Sequence, residues 1–67
     1  MKITLNNRPE EIEQDGITVN ELLKIKNFTF RMLVIKINGK LIKKDEYSKT
    51  VIKEGDNVMV MHLVSGG

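Results

Sequence analysis

The 67 residues predict one small α+β domain, a mixed sheet of four to five strands with a single main helix packed on one face. Three features lead there. Apolar residues alternate at the start (Ile3, Leu5), in the middle (Leu33, Ile35, Ile37) and near the end (Val58, Val60), the period of strands with one buried face. Between the first and second of these runs, Val19, Leu22 and Leu23 recur at the spacing of one helix stripe. Asn38-Gly39 then supplies the strongest short-range hairpin signal in the chain. A chain this short holds one domain, which excludes a cleft between domains or a multi-step catalytic scaffold.

Taken in order, Lys2 to Leu5 form the first strand, with Met1 able to join its buried side, and Asn6-Asn7-Arg8 is a turn cluster. Pro9 removes a backbone donor, so Glu10-Glu11-Ile12-Glu13 is expected as an edge strand paired back on the first. Gln14-Asp15-Gly16 breaks the pattern. Thr18-Val19-Asn20-Glu21 has the spacing of a capping box, so a helix begins there and ends near Lys26-Asn27. Phe28 and Phe30 follow in a connection where one or both close the end of the core. After the central strand and the Asn38-Gly39 turn, Lys40-Leu41-Ile42 returns as a short partner strand. Lys43 to Tyr47 reads as a polar excursion with one irregular helical turn, and Tyr47 packs there with its hydroxyl outward. Beyond Val51 and Ile52, the Glu54-Gly55-Asp56 turn launches a last alternating strand, Asn57 to Val64. A hairpin joined through one helix to further strands of the same sheet is the β-grasp, or ubiquitin-like, arrangement. Residues 1–67 are thus one domain, with 64–67 expected as a flexible diglycine tail.

Composition narrows the function. With 40% apolar and 30% charged residues the chain is neither a disordered tail nor a membrane span, and no apolar run approaches the roughly 20 residues that cross a bilayer. The opening residues lack a signal peptide's apolar region, so a cytoplasmic protein without a membrane partner is expected. Absence of cysteine removes disulfides, thiolate metal sites and a cysteine nucleophile together. A formal charge of +2 and 4% aromatic residues do not point to nucleic acid as a partner.

Residues able to carry catalysis are few. His62 is the one histidine and alternates in phase with Val58 and Val60, a structural position. Ser48 and Ser65 sit in no nucleophile-elbow setting, and Glu10-Glu11 and Asp45-Glu46 read as solvated surface. No metal-ligand spacing occurs. Gly66-Gly67 has no turn to serve, because the given chain ends there. Without Cβ atoms an extended diglycine can enter a channel too narrow for side chains and present its α-carboxylate to a partner; the alternative reading is a frayed terminus without a role. Lys36, Lys40, Lys43 and Lys44 cluster around the Asn38-Gly39 hairpin, either as a face for an acidic partner or a phosphate backbone or, more often for such a run, as a solvated face that also blunts a sheet edge. If Val58 and Val60 face the helix, Met59, Met61 and Leu63 form an outward stripe suited to docking.

The chain resembles the ThiS family of thiamine-biosynthesis sulfur carriers along essentially its whole length. The segments that carry the resemblance are Met1-Lys2-Ile3-Thr4-Leu5-Asn6, Gly16-Ile17-Thr18-Val19 leading to Leu22-Leu23, Ile35-Lys36-Ile37-Asn38-Gly39, Gly55-Asp56 and the diglycine end. The resemblance implies a carrier rather than an enzyme, with no cofactor of its own. An E1-like adenylyltransferase of the ThiF type would use ATP and magnesium to turn the Gly67 carboxylate into an acyl adenylate. Sulfur, from a donor such as a cysteine desulfurase, would replace AMP, and the Gly67 thiocarboxylate would serve a ThiG-type thiazole synthase. Gly66 would give backbone access. The chain departs from the family pattern at Lys43-Lys44, where proline and arginine are common, and at Tyr47, where tryptophan is frequent. Two alternatives share the fold: a carrier like the molybdopterin-synthase small subunit, and a non-covalent ubiquitin-like binding module.

Overall fold

The computed structural model describes residues 1–28 and 32–62. Its elements are β1 (Lys2–Leu5), β2 (Arg8–Glu11), β3 (Ile17–Thr18), α1 (Val19–Ile25), β4 (Leu33–Ile37), β5 (Lys40–Ile42), a 3-10 turn (Lys44–Glu46), β6 (Val51–Ile52) and β7 (Asn57–His62). Five strands form the main sheet in the order β2-β1-β7-β4-β5, and β3 pairs with β6 as a separate two-stranded ladder. The β1–β7 pairing is parallel and the other pairings are antiparallel, so the sheet is mixed. With one helix, this is the expected β-grasp arrangement.

The first hairpin differs in its bounds from the expected Glu10–Glu13 strand. Asn6 and Asn7 both take left-handed backbone (φ 51° and 66°), which closes a two-residue turn and lets pairing resume at once from Arg8. In such a hairpin the flanking Leu5–Arg8 pair exchanges the hydrogen bonds, so the nitrogen of Pro9, opposite Thr4, faces away from β1 and loses nothing. Ile12 falls just beyond the strand and is buried in the core.

Helix α1 starts as the sequence requires. The Thr18 hydroxyl accepts from the Glu21 backbone N–H at 3.2 Å, and the Glu21 carboxylate accepts from the Thr18 backbone N–H at 2.8 Å. Donation by Thr18 holds the Glu21 carboxyl below the usual carboxylate range. The helix ends at Ile25, with Lys26 as its C-cap and Asn27 left-handed at φ 57°. Val19 and Leu22 are fully buried and Leu23 is half-buried against the core.

The core lies between α1 and one face of the sheet. Ile3, Leu5, Ile35, Ile37, Val58 and Val60 come from the sheet, Val19 and Leu22 from the helix, and Ile17, Ile42, Tyr47 and Ile52 close the sides. Phe28 packs partly buried against this cluster, in keeping with the expected closure, while Phe30 lies outside the described residues. The Lys43–Tyr47 excursion contains one 3-10 turn, as expected, and burial of the Tyr47 ring pushes its hydroxyl pKa up. The β3–β6 ladder was not anticipated: two residues a side carry no readable period, yet Val19 N–H to Thr50 carbonyl (3.1 Å) continues it to the helix start.

Candidate functional site: the outward face of the sheet

Asn38 and Gly39 are both left-handed (φ 52° and 84°), so the β4–β5 hairpin has the two-residue turn its sequence specifies. That turn fixes the register: Lys36 stands opposite Leu41, and across the other ladder Lys36 stands opposite Met59 and Val34 opposite Met61. Directly opposed residues share a face, so Val34, Lys36, Leu41, Met59 and Met61 all point away from the helix. Val58 and Val60, between the methionines, are buried. The expected phase of the last strand is therefore the one observed.

This face is uneven in exposure. Leu41 is 53% exposed and Met61 38%, whereas Met59 and Val34 are half-buried. Met32, just before β4, is 52% exposed. Large apolar side chains thus share this face with an exposed lysine, Lys36 lying toward the Asn38-Gly39 turn and Met61 toward the end of β7. Sequence reasoning found Met59 and Met61 but not Val34 or Leu41. The signal was present: Val34 is out of phase with the buried Leu33, Ile35 and Ile37, and the two-residue turn sets Leu41 opposite Lys36. Leu63, Gly66 and Gly67 lie outside the described residues.

Several polar side chains elsewhere help to hold the fold. The Asn6 carboxamide oxygen accepts from Val60 N–H at 2.8 Å, extending the β1–β7 ladder past the point where β1 turns away. Asn38 accepts from Asn57 N–H at 2.9 Å and donates to Asp56 at 3.1 Å. Lys26 and Glu10 form an ion pair of 2.9 Å between the helix end and β2. One shallow concavity of about 460 Å³ is lined by Ile37, Ile42 and Val51 with Lys40, Lys53, Glu46 and Asp56. Both of its carboxylates are engaged, Glu46 by Lys43 N–H and Asp56 by Lys53 N–H. Among the described residues no group of three or more His, Asp or Glu side chains is placed to hold a metal ion, and no helix is long and apolar enough to cross a membrane. His62, at the end of β7 opposite Leu33, is exposed.

A five-stranded mixed sheet grasping one helix, with an apolar outward face beside the last strand, defines a ubiquitin-like β-grasp protein. The chain belongs to the ThiS family, whose model matches residues 3–67. Its fold is similar to the crystal structure of a thiamine biosynthesis protein (ThiS) from Geobacter metallireducens, at a TM-score of 0.90 and 25% identity over all of both chains. The solution NMR structure of a thiamine biosynthesis protein from the same organism matches at 0.82 and 25% identity, covering all of this chain and 88% of that one. A thiazole synthase of Magnetococcus marinus is 31% identical over 67 residues, all of this chain but only 20% of that protein's length.

Proposed function

We propose that the chain is a sulfur carrier whose cargo is a thiocarboxylate on Gly67, delivered to thiazole formation in thiamine biosynthesis. The observation that carries the reading is family membership over residues 3–67, a match that takes in the diglycine. The chemistry follows from what a carboxylate lacks. A free carboxylate repels nucleophiles and has no good leaving group, whereas a mixed anhydride with AMP has one. In the proposed step a Gly67 carboxylate oxygen bonds to the α-phosphorus of ATP and pyrophosphate leaves. A persulfide sulfur from the donor then attacks the acyl carbon and AMP leaves; a thiol attacks the resulting acyl disulfide, forming a new disulfide with the donor sulfur and releasing the thiocarboxylate. ATP and magnesium belong to the adenylyltransferase, and the sulfur to a donor such as a cysteine desulfurase.

Two further features support a carrier. The polar groups described above serve caps, turns and ladders, which matches a protein acted upon by others. In the Magnetococcus relative, a stretch similar to this whole chain lies within one polypeptide named as a thiazole synthase, which supports that enzyme as the recipient. Met59, Met61 and Leu63 on the last strand and its continuation are proposed as docking residues, with Gly66 giving backbone access to the active site. Deleting Gly67, or appending residues after it, is expected to abolish sulfur loading while leaving the circular dichroism spectrum and thermal midpoint unchanged. Normal loading of an extended chain would overturn the reading. A carrier for molybdopterin synthesis would show the same dependence of loading on Gly67 but would transfer its sulfur to a pterin precursor.

A further inference from the structure

The first residue of β7 is held by the asparagine that opens the β4–β5 turn, and Asn38 is the only asparagine of the chain followed by glycine. A carboxamide next to an unhindered backbone nitrogen undergoes a slow intramolecular reaction. The Gly39 nitrogen bonds to Asn38 Cγ, the bond from Cγ to the side-chain nitrogen breaks, and the Gly39 proton leaves with that nitrogen as ammonia. Water then opens the succinimide at either carbonyl, giving aspartate or, with the backbone rerouted through Cγ, isoaspartate. Glycine permits the attack because it has no Cβ to crowd it. At Gly39 the space a Cβ would fill has no atom of the described residues within 4 Å, and both turn residues are exposed.

The folded chain holds the carboxamide away from this reaction. Its oxygen accepts from Asn57 N–H at 2.9 Å, its nitrogen donates to Asp56 Oδ1 at 3.1 Å, and the Asn38 backbone N–H donates to the Asn57 carbonyl at 2.7 Å. The reverse orientation would set donor against donor and oxygen against carboxylate, so the partners fix which way the amide points. Asp56 is fixed in turn, its other oxygen accepting from Lys53 N–H at 2.9 Å. Turning Cγ toward the Gly39 nitrogen gives up both side-chain bonds. We propose that Asn38-Gly39 is a latent modification site gated by this clamp. Closed, the clamp preserves the amide. Opened, it lets Asn38 become a carboxylate that faces Asp56 with like charge and has no proton to donate, so the start of β7 does not close again as before.

The test follows intact mass and peptide maps of the full chain during incubation at mildly alkaline pH, scoring replacement of an amide NH2 by OH and its location at Asn38. Wild type in buffer is expected to react at least about tenfold more slowly than in guanidinium chloride, the ratio set by two side-chain bonds, one of them to a charged group. Asp56→Asn keeps an oxygen for Lys53 N–H but sets its NH2 against that of Asn38. It should speed the reaction severalfold with an unchanged circular dichroism spectrum. Asn38→Asp should lower the thermal midpoint, and combining it with Asp56→Asn, which exchanges donor and acceptor across the same contact, should recover most of the loss. Equal rates for folded and denatured wild type overturn the gating, as does a folded Asp56→Asn that reacts at the wild-type rate. A double variant no more stable than Asn38→Asp alone overturns the assignment of Asp56 as the partner that the modification loses. If Asp56→Asn fails to fold, the wild-type comparison and the double variant still decide.

Discussion

At the scale of single residues, the positions that shape the fold and the positions proposed to carry chemistry are different sets. Glu21 shows the first kind. Its carboxylate accepts from the Thr18 backbone N–H, and that bond lowers its pKa in the folded protein relative to the unfolded chain. A group depressed in this way stabilises the fold above the unfolded carboxylate pKa, and the contribution is lost as pH falls through the lower folded value. Thermal midpoints of wild type and Glu21→Gln should therefore differ near neutral pH and converge in acid. A gap that stays constant with pH would show that the charge of Glu21 contributes nothing. Asn6 is a second case, an exposed turn residue whose side chain completes a ladder. Asn6→Ala leaves the part-buried Val60 N–H without its acceptor and should cost about 1–3 kcal/mol by urea denaturation. Asn6→Asp keeps the acceptor and should recover most of that loss. Gly67 is the opposite kind, proposed to matter to the chemistry and not to the fold.

At the scale of elements, legibility followed periodicity. The helix start was readable because a capping box is four residues of fixed chemistry, and both of its hydrogen bonds are present. The central hairpin was readable because Asn-Gly suits two left-handed residues in a row. The first hairpin turn was less so: Asn6-Asn7 adopts the same conformation without glycine, and Pro9 drew the expected strand too far along the chain. The β3–β6 ladder was unreadable, since Ile17–Thr18 and Val51–Ile52 are brought together by the packing of helix and 3-10 turn, which no local pattern encodes. Of the outward face, the methionine phase on β7 was readable from alternation alone. Recognising Val34 and Leu41 needed the pairing register of three strands at once.

At the scale of the whole molecule, a 67-residue domain has little stability to spare, on the order of 3–10 kcal/mol. Leu22 is fully buried between helix and sheet, and Leu22→Ala should cost about 2–5 kcal/mol. That is enough to leave a measurable fraction unfolded at 37 °C by hydrogen exchange, and native-like protection in the variant would show that the core relaxes around the cavity. The helix-facing side of the sheet is committed to this core, and the proposed carrier role uses only the other face and residues 63–67. This division is why the fold was legible from hydrophobic pattern while the function depended on the terminal glycines and family membership.

The central claim is that Gly67 carries sulfur. The direct measurement is the intact mass of the chain with its native C-terminus, before and after incubation with ATP, magnesium, an adenylyltransferase and a sulfur donor. The account predicts a gain equal to one oxygen replaced by one sulfur, localised to Gly67 by fragmentation. An unchanged mass, with the same enzyme loading a control carrier, would contradict it.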